Sequence, residues 1–212
     1  MPKQVDYESR RRRIAEAVCL LADAHGPEGV SMRDVAARAQ VSLGAVQRCF
    51  RSKGEMLRFA VGHVGDRVTE RVRARLAASP AQSAATALGC AVDEIALLRV
   101  EHRAEARIWL AFVAQAAVSE PLAGPLRSGY AALQDLLVCL ISEAAEGSWA
   151  DVGATPPDPR REARTLLALA DGLTTQVLIG HLAEGQAEEV LDAHLSGLWE
   201  RLGATTDPRR VG

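Results

Sequence analysis

Apolar residues recur along this chain at helical spacing, and no stretch alternates strictly as a strand would. Ile14, Ala17, Val18 and Leu21 follow i, i+3, i+4, i+7 and predict a first helix from about Tyr7 to Ala24, ended by "HGPEG" (His25 to Gly29). Ser31 opens a second, short pattern with Met32, Val35, Ala36 and Ala39 inward, and Asp34 completes a capping box. A tight turn from Ala39 to Val41 leads to a third short helix, capped by Ser42, with Val46 and Phe50 inward. Ser52 and Glu55 cap a fourth, long helix reaching about Ala78 through Met56, Leu57, Ala60, Val64 and Val68. Further helices are predicted at roughly 82–101, 104–118, 122–145, 159–184 and 187–202. "EGSWADVGATPPDP" (Glu146 to Pro159) reads as the one long loop, and Asp158 before Pro159 as a helix start. The expectation is an all-α chain of about nine helices, a three-helix head followed by a helical bundle.

Composition agrees: 48% of the 212 residues are hydrophobic but only 4% aromatic, so the apolar part is mostly Ala, Leu and Val. Net charge is −2, yet its distribution is uneven. Residues 1–75 hold 15 Lys/Arg against 9 Asp/Glu, a net of +6, and the remainder nets −8. A basic first third on an acidic body suggests a nucleic-acid-binding head. Cys19, Cys49, Cys90 and Cys139 lack CxxC spacing and read as free thiols of a reducing compartment. The N-terminus has arginines without an apolar h-region, and no apolar run reaches the roughly 20 residues of a membrane span. A cytoplasmic protein is expected.

Two short helices joined by a tight turn and packed on a first helix make a helix-turn-helix, whose second helix enters the major groove by its N-terminal residues. Here that helix is Ser42 to Phe50. With Val46 and Phe50 inward, Leu43, Gly44, Ala45, Gln47 and Arg48 are left near the outer face. Gly44 and Ala45 permit close backbone approach, Arg48 matches guanine, and Gln47 matches adenine. Ser31, Ser42 and Ser52 put helix N-termini where phosphates could bind. Lys53 and Arg33 lie in first turns, where a cation opposes the helix dipole; a phosphate contact would explain both. The run Arg10 to Arg13 reads either as a solvated end or as a phosphate-reaching arm.

"GVSMRDVAARAQVSLGAVQRCFRSKGEML" resembles the N-terminal domain of TetR-family transcriptional regulators, whose pattern includes "VAxxAGVSxGxLYxHFxSKxxL". The match falls on Ser31, Val35, Ala36, Ala39, Val41, Ser42, Gly44, Val46, Phe50, Ser52, Lys53 and Leu57. Gln40 replaces the usual glycine, Gln47 the usual tyrosine and Cys49 the usual histidine. Because that tyrosine commonly touches phosphate, the resemblance leaves Gln47 between a base and a phosphate contact. It implies a DNA-binding domain over 7–67, an effector-binding and dimerisation domain over 68–205, and a homodimer formed by the last two helices. It also implies repression by occupying a palindromic operator, relieved by a small molecule. "ARIWLAFVAQAAVSEPL" looks like the subgroup that includes betaine-type repressors.

Leu166, Leu167, Leu169, Leu173, Val177, Leu178, Leu191, Leu195 and Leu198 carry more apolar surface than a modest core needs, which favours a twofold four-helix interface. Trp109, Phe112, Gln115, Tyr130 and Gln134, with Gln176 beside Thr174 and Thr175, are candidates for an effector pocket. For each of these, a satisfied core or interface side chain is the competing reading. Two rival functions are a helical interaction bundle without DNA binding and a metal-dependent bundle enzyme. The enzyme would draw on Glu101, His102 and Glu105, but no second Glu-x-x-His accompanies them. No catalytic motif, metal or cofactor is expected.

Overall fold

Serine hydroxyls start the helices of the head. In the computed structural model, which describes residues 2–78, 83–146 and 157–202, Ser31 Oγ accepts the Asp34 N–H at 3.2 Å, Ser42 Oγ that of Ala45 at 3.1 Å, and Ser52 Oγ that of Glu55 at 3.2 Å. Each such cap stabilises its helix by about 1 kcal/mol. The helices are α1 (Pro2–Gly29), α2 (Met32–Arg38), α3 (Leu43–Cys49) and α4 (Lys53–Ala77). They continue as α5 (Ala84–Ile95), α6 (Arg103–Ala116), α7 (Glu120–Glu146), α8 (Pro159–Leu178) and α9 (Glu184–Arg201), with one 3-10 turn at Val100–His102. No strand occurs among the described residues. The predicted 146–159 loop lies mostly outside those residues; its last part, Asp158, accepts the Arg160 N–H at 3.0 Å ahead of Pro159.

Several predicted boundaries shift for local reasons. Helix α1 begins at Pro2 rather than near Tyr7, and Gly26 at φ 71° breaks it within the predicted stop. The predicted 82–101 helix ends at Ile95: Leu97 turns to φ 50°, and the Ala96 carbonyl is taken by the Thr174 hydroxyl. Leu97 and Leu98 are buried, so packing overrides local propensity there. Helix α8 stops six residues early because Gly180, at φ 75°, lets His181 and Leu182 N–H groups return to the Gln176 carbonyl. Helix α9 then starts three residues early, with Gln186 Oε1 accepting the Ala183 N–H at 2.9 Å.

The described residues form two compact units. One comprises the chain up to Arg67 together with Ala104–Gly129; the other comprises Val68–Arg103 and the chain from Tyr130 on. In the first, Ile14, Val18, Val35, Val46, Phe50, Met56, Ala60 and Val64 share one core with Ile108, Phe112, Leu122 and Leu126. Removing a side chain the size of Phe50 or Met56 from water contributes about 1.5–3 kcal/mol.

In the second unit α8 and α9 pack on each other and on α5. Leu166, Leu167, Leu173, Val177, Leu191, Leu195 and Leu198 are buried within that unit. Most of the apolar surface expected to await a partner is therefore spent on the chain's own core. Glu94, also buried, is met by Arg75 Nη1 at 3.0 Å and Arg71 Nε at 3.3 Å, with Arg99 and His102 at 3.9 Å. A carboxylate without such partners would be costly to bury.

Candidate nucleic-acid interface

Helix α3 has two unlike faces. Ala45, Val46, Cys49 and Phe50 are buried, while Ser42, Gln47 and Arg48 are exposed and Leu43 and Gly44 half-buried. Ala45 is thus an inward residue at 8% exposure, not part of the outer face expected for it. Arg48 folds back over the first turn: a Cβ on Gly44 would lie 3.7 Å from its Nη1. Among the described residues no hydrogen bond or ion pair from a side chain holds Gln47, Arg48 or Arg33, and Arg33 stands exposed on α2. These side chains are free to meet a ligand.

Lys53 is different. Its Nζ donates to the Glu28 carbonyl at 2.5 Å, tying the start of α4 to the end of α1. The cation in that first turn therefore has a structural partner, which the dipole argument alone did not provide. Ser31 is half-buried, and its hydroxyl donates to the Asp34 carboxylate at 2.6 Å while accepting the Asp34 N–H. The serine half of the expected capping box forms, but the Asp34 carboxylate takes the serine hydroxyl in place of the Ser31 N–H. At α4, Glu55 Oε2 instead accepts the Arg51 N–H at 2.8 Å, one residue before the cap.

The frame behind α3 comes from α1. Arg11 places its guanidinium 4.2 Å from the Phe59 ring centroid, 4.8 Å from Phe50 and 5.8 Å from Tyr7. Arg13 donates to the Ala39 carbonyl at 3.0 Å, fixing the turn between α2 and α3. Arg10 pairs with Asp6 at 2.7 Å. Tyr7 Oη donates to the Cys49 carbonyl at 3.4 Å. Arg10, Arg11 and Arg13 were expected as part of a solvated end or a phosphate-reaching arm; they hold the frame of the head instead, a role for which Tyr7 and Arg11 at i, i+4 carried the only sequence signal. Burial pushes the Cys49 thiol up, with Arg10, Arg11 and Arg48 opposing. The thiol stays neutral in the core of the head.

The effector candidates divide between the units. Phe112 is fully buried in the first core and Trp109 packs against it. Tyr130, Gln134 and Gln176 belong to the second unit, where Tyr130 Oη donates to Asp171 Oδ2 at 2.6 Å. Thr174 is buried, its hydroxyl directed at the Ala170 and Ala96 carbonyls, and Thr175 donates to Asp171 O at 2.8 Å. Of the rival metal set, Glu105 faces Arg67 at 3.9 Å and His102 faces Glu94.

Residues 14–59 match the family described as bacterial regulatory proteins, tetR family, and residues 84–200 match the BetI-type transcriptional repressor C-terminal family. The chain belongs to the TetR family. It is a DNA-binding transcriptional regulator, and its relatives are transcriptional regulators too. The TetR chain is 31% identical over 179 residues to the HTH-type transcriptional regulator PksA of Bacillus subtilis, covering 84% of this chain and 83% of that protein. A transcriptional regulator from Rhodococcus sp. Rha1 superposes with a TM-score of 0.76 at 29% identity, covering 93% of this chain and 99% of that one. A regulator from Saccharomonospora viridis, solved in complex with choline, has a TM-score of 0.75 at 22% identity over 89% and 96% of the two chains, and shares the fold. No helix among the described residues of this TetR protein is long and apolar enough to cross a membrane.

Proposed function

We propose that this regulator represses transcription in the cytoplasm by holding a palindromic operator as a homodimer, and that a small molecule releases it. The observation that carries the DNA assignment is the split of α3, apolar residues sealed behind it and Gln47 and Arg48 exposed without partners in front. In this reading residues 7–67 are the DNA-binding domain and 68–205 the effector-binding and dimerisation domain. Leu43, Gly44 and Arg48 face base edges, Gln47 faces a base or a phosphate, and Ser31, Arg33, Ser42 and Lys53 face phosphates. The two recognition helices of a dimer would sit one turn of DNA apart, about 34–36 Å.

Dimerisation through α8 and α9 is supported by a stripe along α8 and its C-cap of Thr165, Ala168, Gly172, Thr175 and Ile179, uncharged, mostly small and exposed or half-buried, with Ile179 71% exposed. Val190 adds an exposed apolar side chain on α9. The effector reading keeps Tyr130, Gln134 and Gln176, with Trp109 and Phe112, as its candidate contacts. A ligand acts in this scheme only by binding the DNA-competent and released states unequally. Helix α4, with residues in both units, is the natural lever.

Selection of bound fragments from a random DNA pool tests the whole reading, because it returns the site and its symmetry. Recovery of a site with inverted repeats is the expected result; failure to enrich any sequence would reject it. Against that site, Arg48→Ala should lose about 1–3 kcal/mol of discrimination at one base position of each half-site. Unchanged preference at every position would remove Arg48 from the interface.

A further inference from the structure

The first unit contains a cleft of about 560 Å³ that the DNA-facing residues leave unexplained. That volume lies within the roughly 300–1,000 Å³ typical of small-ligand sites. Its walls come from the end of α1, the first turns of α4, and the α6–α7 junction. Leu57 and Leu122, both buried, give it an apolar floor. Lys53 and Arg58, both half-buried, bring two positive charges to its rim. Glu28 supplies one negative charge, but its carboxylate already accepts from Gln115 Nε2 at 3.0 Å. Arg58 has no ion pair or hydrogen bond among the described residues, and a Cβ on Gly54 would lie 3.6 Å from its Nη1. The cleft thus combines a surplus positive charge with an apolar bed.

We infer that this cleft binds a small amphipathic carboxylate, its anionic head on Arg58 and Lys53 and its short apolar body along Leu57 and Leu122. Its lining belongs to the first unit and includes Gln115, an effector candidate read from the sequence, but none of Tyr130, Gln134 and Gln176. Its occupancy does not depend on DNA. Its consequence for DNA rests on the reading above: an anion here draws on Lys53, which that reading assigns to a phosphate, so the two compete.

Calorimetric titration of the full chain with octanoate, without DNA, tests the site directly. The expected result is saturable binding of one octanoate per chain. Arg58→Gln should weaken it about tenfold or more, since a charge-assisted contact is lost, while Arg58→Lys retains most of it. Ser119→Trp, which fills the cleft from its lining, should abolish it. Circular dichroism of each variant checks that the helices persist. Absence of saturable heat, equal affinity for 1-octanol, or binding indifferent to both Arg58→Gln and Ser119→Trp would overturn the assignment. Adding operator DNA afterwards reads the competition on its own, so its failure leaves the binding result intact.

Discussion

Four consecutive arginines look like one feature in a sequence and act as separate ones on a helix, where neighbours point about 100° apart. Arg11 stacks among three rings, Arg13 holds the turn before α3, Arg10 pairs with Asp6, and Arg12 is exposed. Arg11→Ala should therefore destabilise the protein by about 1–3 kcal/mol in urea unfolding, through lost cation–π contact and packing. Arg12→Ala should stay within about 0.5 kcal/mol of the parent. Equal losses would show that the aromatic contacts contribute nothing particular. Asp23 gives a pH signature. Arg107 donates to both its oxygens, at 2.6 and 2.9 Å, and this hydrogen bonding holds its carboxyl below the usual carboxylate range, against a smaller opposing effect of burial. A lowered folded value means the contribution is complete above the ordinary Asp range and disappears as pH falls through the folded value. Asp23→Asn should cost about 0.2–1 kcal/mol at neutral pH and make acid unfolding shallower below about pH 4, read from urea midpoints across pH.

At the scale of elements, the starts of α2, α3, α4 and α8 were legible because a serine or Asp-Pro carries its own partner a turn away, whereas α1 and α9 start earlier than their apolar spacing implied. Ends set by tertiary contact were not. Nothing in "EIALLRV" announces that a threonine from α8 will claim the Ala96 carbonyl, and Gly180 sits inside an otherwise continuous helical pattern. The two faces of α3 were legible except at Ala45, since alanine is compatible with either side. One departure from the family pattern has a measurable cost. Gln40, where glycine is usual, adopts φ 54°, a region that disfavours residues with a Cβ by about 1–2 kcal/mol. Gln40→Gly should raise stability by roughly 0.5–1 kcal/mol after the added unfolded-state freedom is discounted, as a higher urea midpoint. A lower midpoint would mean that the glutamine side chain contributes more than its backbone costs.

For the whole molecule, the sequence's charge asymmetry, +6 over residues 1–75 and −8 beyond, suits a basic head that meets phosphates and a body that does not. The contiguous division at residue 68 could not express that 104–129 pack with the head, because such packing joins distant segments. The surface proposed for pairing is likewise visible only once the leucines of α8 and α9 have been assigned to their own core. Ile179→Glu places a charge on the remaining outward stripe, and sedimentation should show a shift from dimer towards monomer. A chain still dimeric at micromolar concentration would move the interface elsewhere.

The bond from Lys53 to the Glu28 carbonyl bears on how cheaply the head could grip a nucleic acid. An ammonium carries three protons, and the carbonyl occupies one, leaving two for an incoming oxygen. A lysine side chain free in water would surrender up to about 2 kcal/mol of rotamer entropy on being fixed. Here part of that freedom is already given up during folding, so the phosphate contact proposed for Lys53 would carry a smaller ordering cost on binding.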